Sequence, residues 1–541
     1  MRITLAQLNF HIGNFEDNYA QISQTIKAIE DHSDLIVFPE LAVCGYPPKD
    51  LLFSSHFIRE VHVQLEKIAR LCTKTAVIVG APSASKAPYQ RKLHNSAYFL
   101  FQGEVKYVAH KSLLPDYDVF DENRYFIPGT NHSCVAYKGK KIALTICEDL
   151  WNTSENQLYD HFPLDKLMSE NPDMVINIAA SPFSKEQAEE RNTVLTYHAR
   201  KHSTPIIYVN QVGAQTDLLF DGSSRVIDSK GQTRLQLPTF EEKTHTFHLD
   251  ELPATKDTEL KSSPISIIKK GLVLGIQDYF KKTGLKQATL GLSGGIDSAV
   301  VFALLVEALG SENVMPVLLP SKFTSDASNL EAIQMANNLG TAYKTIPIES
   351  IYGSLEKELA PHFEGKKEDI TEENLQSRSR AILLMALANK LGYILINTSN
   401  KSEIAVGYGT LYGDLCGGIS VIGDLYKTEV YALAREINRE KEIIPNFIID
   451  RPPSAELRND QKDSDSLPPY ELLDELLKLH VEQGIHSSDL IKKGYDPKIV
   501  TKIVQLVSRS EWKRHQTAPI LRISSKSFGT GRRIPIVSKM D

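Results

Sequence analysis

Cysteine is scarce in this chain. Five of its 541 residues carry a thiol, at positions 44, 72, 134, 147 and 416, and no two stand at C-x-x-C spacing, which removes the common zinc-knuckle and redox-pair patterns. An odd, sparse set in so long a chain points to a reducing compartment. Missing as well is any run of about 18 apolar residues, so no membrane partner is expected. The opening MRITLAQLNFHIGNFEDN lacks the charged start, apolar run and small-residue cleavage site of a signal peptide, so the expected location is cytoplasmic. Positive charge is not in excess: 61 Lys and Arg against 67 Asp and Glu leave a formal charge of -6. That argues against a nucleic-acid partner, whose binders usually carry a basic domain or stripe. There is no fixed-period repeat and no low-complexity tract.

What is present is an ordinary globular composition, 42% hydrophobic and 24% charged, at a length that calls for two domains or more. From Met1 to about Leu249, short β-rich runs such as DLIVFPE, TAVIVGAP and KIALTICED alternate with helical stretches, which implies a layered α/β domain. SAYFLFQGEVKYVAHK and SRVIDSKGQTRLQL each turn at a Gly, so its sheets are expected to be partly antiparallel. Residues 250–264, with two prolines and no hydrophobic period, read as a linker. Beyond it, from residue 265 to 541, strands and helices alternate strictly, which predicts a Rossmann-like parallel sheet binding its ligands beyond the carboxyl ends of the strands. The charged, proline-flanked stretch 454–469 reads equally as a closing loop and as solvated surface.

The stretch GLSGGIDSAV, residues 291–300, has the glycines of a phosphate loop without its lysine. No Gly-Lys in the chain is followed by Ser or Thr, which excludes a Walker A loop. Gly291, Gly294 and Gly295, interleaved with Leu292 and Ile296, let the backbone approach an anion after a strand and at the mouth of a helix. Ser293 and Ser298 add hydroxyls. Asp297 is the informative residue, because a carboxylate beside phosphate oxygens is repulsive unless Mg²⁺ lies between them. The pattern fits a pyrophosphate that departs with its metal and leaves AMP behind. SGGIDS resembles the signature of the ATP pyrophosphatase family, which implies ATP as substrate and an adenylate intermediate, and says nothing of the acceptor.

Cys147 closes the apolar strand KIALTIC, at the kind of elbow that suits a nucleophile. A thiol that attacks an amide needs a base and a cation near the developing oxyanion. Two other strand ends can supply them, Glu40 in LIVFPE and Lys111 in VAHKSLLP. The three motifs, in this order, resemble the Glu-Lys-Cys triad of the nitrilase superfamily over roughly residues 1–250. That resemblance implies an αββα sandwich in which Glu40 is the general base, Lys111 steadies the tetrahedral intermediate and Cys147 carries the acyl group. The other four cysteines read as packing.

An amidase of this kind fused to an ATP pyrophosphatase makes chemical sense if the first frees ammonia and the second supplies an adenylate for it to attack. The fusion, in this order, resembles the glutamine-dependent NAD synthetase family over essentially the whole chain. The resemblance implies glutamine, ATP and deamido-NAD as substrates, Mg²⁺ on Asp297 and Glu403, and a homo-oligomer. By the same resemblance Tyr117, Ser181 and Lys185 hold glutamine, with Gln187 the alternative to Lys185. Thr398 in NTSNKSE and Lys427 in GDLYKTEV join residues 291–298 in holding ATP. Asn374 and Arg378 in EENLQSRSR, Glu403 and Lys513 hold deamido-NAD. LYGDLCGGIS lacks the acidic residue after the glycines that ammonia-only synthetases show. Two other readings stay open here: the same chemistry on another small carboxylate, and an amidase regulated by a nucleotide-sensing module.

Overall fold

The computed structural model describes residues 1–85, 92–130, 132–252, 263–458 and 461–539. Internal contacts divide the chain into two compact units, Met1–Ser262 and Ser263–Asp541. The expected linker falls mainly on residues 253–262, outside the described residues, as do 459 and 460 of the expected loop. No helix among the described residues is long and apolar enough to cross a membrane.

The first unit is built on two six-stranded sheets. One runs Lys243–His248, Arg2–Gln7, Leu35–Val37, Ala76–Ala84, Leu93–Phe101, Glu104–His110, and the other Thr233–Gln236, Arg225–Ile227, Ile206–Asn210, Met174–Ala179, Lys140–Ile146, Val135–Tyr137. In both, parallel strands sit at the centre and antiparallel strands flank them. Alternation along each strand sorts side chains to the two faces. Leu5, Val37 and Ile78 join Ile142, Leu144, Ile176 and Ile207 in one buried core between the sheets. Their neighbours Ile36, Val77 and Val79 point the other way, into a second core with the helices Phe15–Ile29 and Ser55–Leu71.

Ser55–Leu71 shows why the sequence folds so. Ser54 accepts a hydrogen bond from the Phe57 amide, and Phe57, Val61, Leu65 and Ile68 recur on one buried stripe. Burial of each such side chain contributes roughly 1.5–3 kcal/mol. Pro163–Met168 and Gln187–His202 pack on the second sheet, their Leu164, Leu167, Leu195 and Ala199 belonging to the same contiguous apolar cluster. The result is the helix–sheet–sheet–helix sandwich expected for this half. Both hairpins form, one turning at Gln102 and Gly103, both with positive φ.

One backbone crossing fixes the site described below. A Cβ on Gly80 would lie 2.3 Å from the Leu41 nitrogen and 2.7 Å from the Glu40 Cα. The Gly80 amide donates to the Pro39 carbonyl and its own carbonyl accepts from Val43, both at 3.2 Å. The chain leaving Leu35–Val37 is thereby pinned across the neighbouring strand, with Glu40 at the crossing.

The second unit has one fully parallel sheet in the order Lys344–Thr345, Val314–Leu318, Ala288–Gly291, Ile394–Asn397, Ile419–Ser420. The chain starts at the centre, builds to one side, then returns to build the other. With right-handed crossovers this reversal makes a crevice beside Gly291. The expected strand YKTIPI shrinks to the exposed pair Lys344–Thr345 at the sheet edge, although the Ile346 and Ile348 amides beyond it still donate to the Leu318 and Pro320 carbonyls at 2.9 and 3.0 Å. Ile419–Ser420 is a fifth strand absent from the sequence reading; two residues are too few for a period. A helical cluster follows, in which Pro497–Arg509 buries Val500, Ile503, Val504 and Val507 on one stripe against Leu473, Leu477 and Tyr426.

Candidate functional site

In the first unit three strand ends bring charge to one place. Glu40 is fully buried and Lys111 is 1% exposed. The Lys111 Nζ donates to Glu40 Oε1 at 2.9 Å and to Glu122 Oε1 at 2.8 Å. Glu40 Oε1 also accepts from Asn95 Nδ2 at 2.7 Å, and Oε2 from the Ala180 amide at 2.8 Å. Every carboxylate oxygen of the expected base is thus held. Glu122, for its part, accepts from the Tyr46 hydroxyl at 3.0 Å. Burial favours a neutral amine at Lys111, but the Glu122 and Glu40 carboxylates outweigh it and hold the lysine well above the usual range. Burial, with Glu40 adding to it, moves Glu122 upward against the pull of Lys111.

Cys147 follows Lys140–Ile146 and opens a short 3-10 turn with a φ of 41°, a left-handed conformation that a side chain adopts only where the surroundings enforce it. Burial and the Glu40 charge push its thiol far upward, while Lys111 pulls the other way. The resting sulfur is therefore a protonated thiol that needs a base at the moment of attack.

Asp149 locks the elbow in place. Its Oδ1 accepts from the Ser112 and Leu113 amides at 2.8 and 3.0 Å, and its Oδ2 from Ile146 at 3.0 Å. The turn after Lys111 is thereby stapled to the turn of Cys147. Burial raises the Asp149 carboxyl to about 6 in spite of these amides.

Around the nucleophile, Tyr117 donates to both oxygens of Glu148, at 3.0 and 3.2 Å, and Tyr159 donates to Oε1 at 2.9 Å. Burial lifts Glu148 to about 7 against Lys111 and these two hydroxyls. Ser181 is buried, its amide bonded to Asn210 Oδ1 at 2.9 Å. Lys185 and Gln187 both lie half-buried at the start of Gln187–His202, so burial does not decide between them. Glu122 and Glu148 are two functional acids that the motifs alone do not mark. Glu148 stands next to the nucleophile in CEDLW, a visible signal; Glu122 sits in the charged run DENR, which reads as surface.

The second unit holds a cavity of about 400 Å³ at the carboxyl ends of its strands, within the size range of small-molecule sites. Gly291, Leu292, Ser293, Gly295, Ile296, Asp297 and Ser298 line it. Gly294 does not. It has a φ of 76°, and a Cβ there would lie 2.4 Å from the Ser328 carbonyl oxygen, so this glycine serves the turn itself. The Ser293 and Ser298 hydroxyls lie 3.1 Å apart, and Ser298 returns a bond to the Gly295 carbonyl at 3.0 Å. Ile296–Leu309 then begins after Gly295, which has no side chain to cap its first amides, the open end that suits an anion.

Asn374, Thr398, Glu403, Lys427 and Lys513 also line this cavity. Arg378 does not: its Nε donates to the Leu411 carbonyl at 3.2 Å, and Arg380 takes a place on the wall instead. Asn374 Oδ1 accepts from Thr410 at 2.8 Å, and Lys513 Nζ donates to the Gly407 and Gly409 carbonyls at 2.9 and 2.8 Å. Lys427 Nζ sits between two acids, 2.5 Å from Asp297 Oδ2 and 3.4 Å from Glu403 Oε1. Burial and the Asp297 charge raise Glu403 to about 8, with Lys427 opposing.

Among the described residues no group of three or more His, Cys, Asp or Glu side chains is arranged to hold a metal ion. Asp297 and Glu403 are a pair, and a pair of hard carboxylates converging on one cation is what Mg²⁺ takes when phosphates and water complete its shell. The donor set fits.

Two family models match the chain, carbon-nitrogen hydrolase over residues 2–254 and NAD synthase over residues 268–517. The glutamine-dependent NAD(+) synthetase of Synechocystis sp. is 43% identical over 546 residues, spanning 99% of this chain and 98% of that one. Its namesake from Thermotoga maritima is 38% identical over 580 residues, spanning 100% and 99%. Among solved structures, a glutamine-dependent NAD+ synthetase from Acinetobacter baumannii in complex with ADP matches with a TM-score of 0.78 at 37% identity, covering 99% of this chain and 98% of that one.

Proposed function

Because the chain belongs to the glutamine-dependent NAD(+) synthetases, we propose that Cys147, Glu40 and Lys111 free the ammonia and that the cavity beyond Gly291 uses it. The reaction is the ATP-dependent amidation of deamido-NAD to NAD⁺ with glutamine as nitrogen donor. One observation carries the assignment of roles: a buried acid–lysine–acid cluster acts electrostatically on a strained cysteine in one unit, while the other unit offers an uncapped helix end beside a cavity.

In the first centre Glu40 takes the thiol proton as the Cys147 sulfur attacks the side-chain amide carbon of glutamine. Lys111, held protonated, donates to the oxyanion. The C–N bond breaks, the proton passes from Glu40 to the departing nitrogen, and ammonia leaves a thioester on Cys147. Water, deprotonated by Glu40, releases glutamate and restores the thiol. Tyr117, Ser181 and Lys185 or Gln187 surround the glutamine. Glu148 offers the carboxylate for its α-ammonium group.

In the second centre a carboxylate oxygen of deamido-NAD attacks the α-phosphorus of ATP. Pyrophosphate leaves toward residues 291–298, and ammonia then displaces AMP from the acyl adenylate. Asp297 and Glu403 would hold Mg²⁺, which when bound supplies positive charge to the phosphate oxygens. Thr398 and Lys427 belong to the ATP side of the cavity. Asn374, Glu403 and Lys513 belong to the deamido-NAD side, with Arg378 supporting that wall through the Leu411 carbonyl. The family resemblance and five free cysteines support a cytoplasmic homo-oligomer.

Two measurements test this. With glutamine carrying ¹⁵N in its side chain, mass spectrometry of the product is expected to find the label in the carboxamide of the nicotinamide; unlabelled product formed with glutamine as sole nitrogen source overturns the scheme. The second is a pH profile. A carboxyl raised to about 7 is neutral below that pH and anionic above it, so an ammonium group finds its partner only as pH rises. The kcat/KM for glutamine hydrolysis is expected to climb with a midpoint near 7, and Glu148→Gln to lower it and flatten that limb. A limb unchanged in Glu148→Gln would remove Glu148 from glutamine binding.

A further inference from the structure

We infer that Arg380 binds the polyphosphate of ATP. The inference rests on the reading of residues 291–298 as the ATP loop and adds a residue to it.

Arg380 lies on Ile370–Leu391, and its Nε donates to the Leu319 carbonyl at 3.0 Å. Leu319 is the first residue after Val314–Leu318, the strand that pairs with Ala288–Gly291. Leu384, one turn beyond Arg380, and Leu319 both reach Gly291: a Cβ built there would meet their methyl carbons at 3.4 and 3.9 Å. These contacts place the guanidinium at the carboxyl ends of the two central strands, beside the first residue of the loop.

The other cations on this wall are committed to protein acceptors. Lys427 is paired with Asp297 and Glu403, Arg451 with Glu456 and the Ser328 hydroxyl, and Lys513 with two carbonyls. Arg380 forms one bond, through Nε, and among the described residues its two terminal nitrogens have no hydrogen-bond or ion-pair partner. Asp414, Glu349 and Glu456 act on it only at a distance. A guanidinium held by Nε from behind presents its remaining four N–H donors as a planar fork, the geometry that matches two phosphate oxygens at once. Arg380 is half-buried on the cavity wall, where an anionic ligand would complete its hydrogen bonds. Its place beside Gly291 assigns the fork to the triphosphate of ATP and not to the diphosphate of deamido-NAD.

The test uses the full-length enzyme and two variants, Arg380→Gln and Arg380→Lys. Binding of α,β-methylene-ATP and of AMP is measured by calorimetry, together with the KM for deamido-NAD and inhibition by pyrophosphate. Charge-assisted hydrogen bonds of this kind lead to an expected loss of roughly 10- to 100-fold for the triphosphate analogue in Arg380→Gln. AMP affinity and the KM for deamido-NAD are expected to stay near wild type, pyrophosphate to inhibit less, and Arg380→Lys to recover part of the loss. Circular dichroism and thermal unfolding of the full-length protein report on the fold of each variant. Equal weakening of the analogue and AMP reveals a merely structural clamp on Leu319 and overturns the inference, as does an unchanged analogue affinity. A shift confined to deamido-NAD assigns the fork to the other substrate and overturns it too. Failure of the wild-type enzyme to bind the analogue overturns the ATP loop itself.

Discussion

Cys147→Ala is expected to abolish NAD⁺ synthesis from glutamine, by roughly 10⁴-fold or more, while synthesis from ammonium salt continues near the wild-type rate. The thiol is the atom that forms the covalent bond, and neither Glu40 nor Lys111, each bound to the other, replaces it. The ammonium arm shows that the second centre still works, and circular dichroism reports on the fold of the first. Cys147 is buried in the apolar cluster of the first unit, and losing one sulfur there removes about one methylene's worth of apolar contact, on the order of 1 kcal/mol. That is too little to unfold a unit of this size. Feeding ammonium salt to the variant and measuring NAD⁺ by its conversion to NADH decides the matter. Loss of both activities in a folded variant would sink the division of labour between the halves.

Asp297→Asn is expected to produce the opposite pattern, with both nitrogen sources failing and glutamine hydrolysis persisting. Asparagine keeps the shape and can still accept from Asn400, which now donates to Asp297 Oδ1 at 3.0 Å. What disappears is the charge that pairs with Lys427 and, with Glu403, would hold the metal. Removing a group that manages charge at a transferring phosphoryl centre costs roughly 10³-fold or more. Pyrophosphate release, assayed with saturating ammonium and deamido-NAD, is the readout, and substantial release by the variant would rule out Asp297 as an essential charge. The two variants together form a reciprocal pair, each blocking one half of the sequence of reactions and sparing the other.

Much of both centres was legible in the sequence because their key residues sit where local patterns change. Glu40, Lys111 and Cys147 each end a strand-like run, and SGGIDS stands between a strand and a helix. Fold class followed from the same runs, since buried central strands read as continuous apolar segments. The residues that escaped are those whose role depends on what the rest of the chain brings near them. Glu122 becomes a second acid on Lys111 only when the turn around it folds under Tyr46. Asp149 reads as one more charge in CEDLW until its oxygens are seen collecting amides from two different loops.

Arg378 and Arg380 show a subtler limit. At about 100° per residue, Glu373, Ser377, Arg380 and Leu384 fall within one stripe, which is the stripe that lines the cavity. Arg378 falls outside it. A motif records that an arginine belongs near a position, whereas helix phase decides which of two neighbours faces the ligand. The phase becomes readable only when the packing of Leu384 against Gly291 is known.

The crossing at Gly80 has a consequence for how this catalytic machinery can change. Where the backbone of the general base passes over its neighbouring strand, even a methyl group would collide with main-chain atoms that cannot rotate away. The alphabet at that position therefore has a single letter, and variation in the first centre is confined to the side chains that rim it while the address of its base stays fixed.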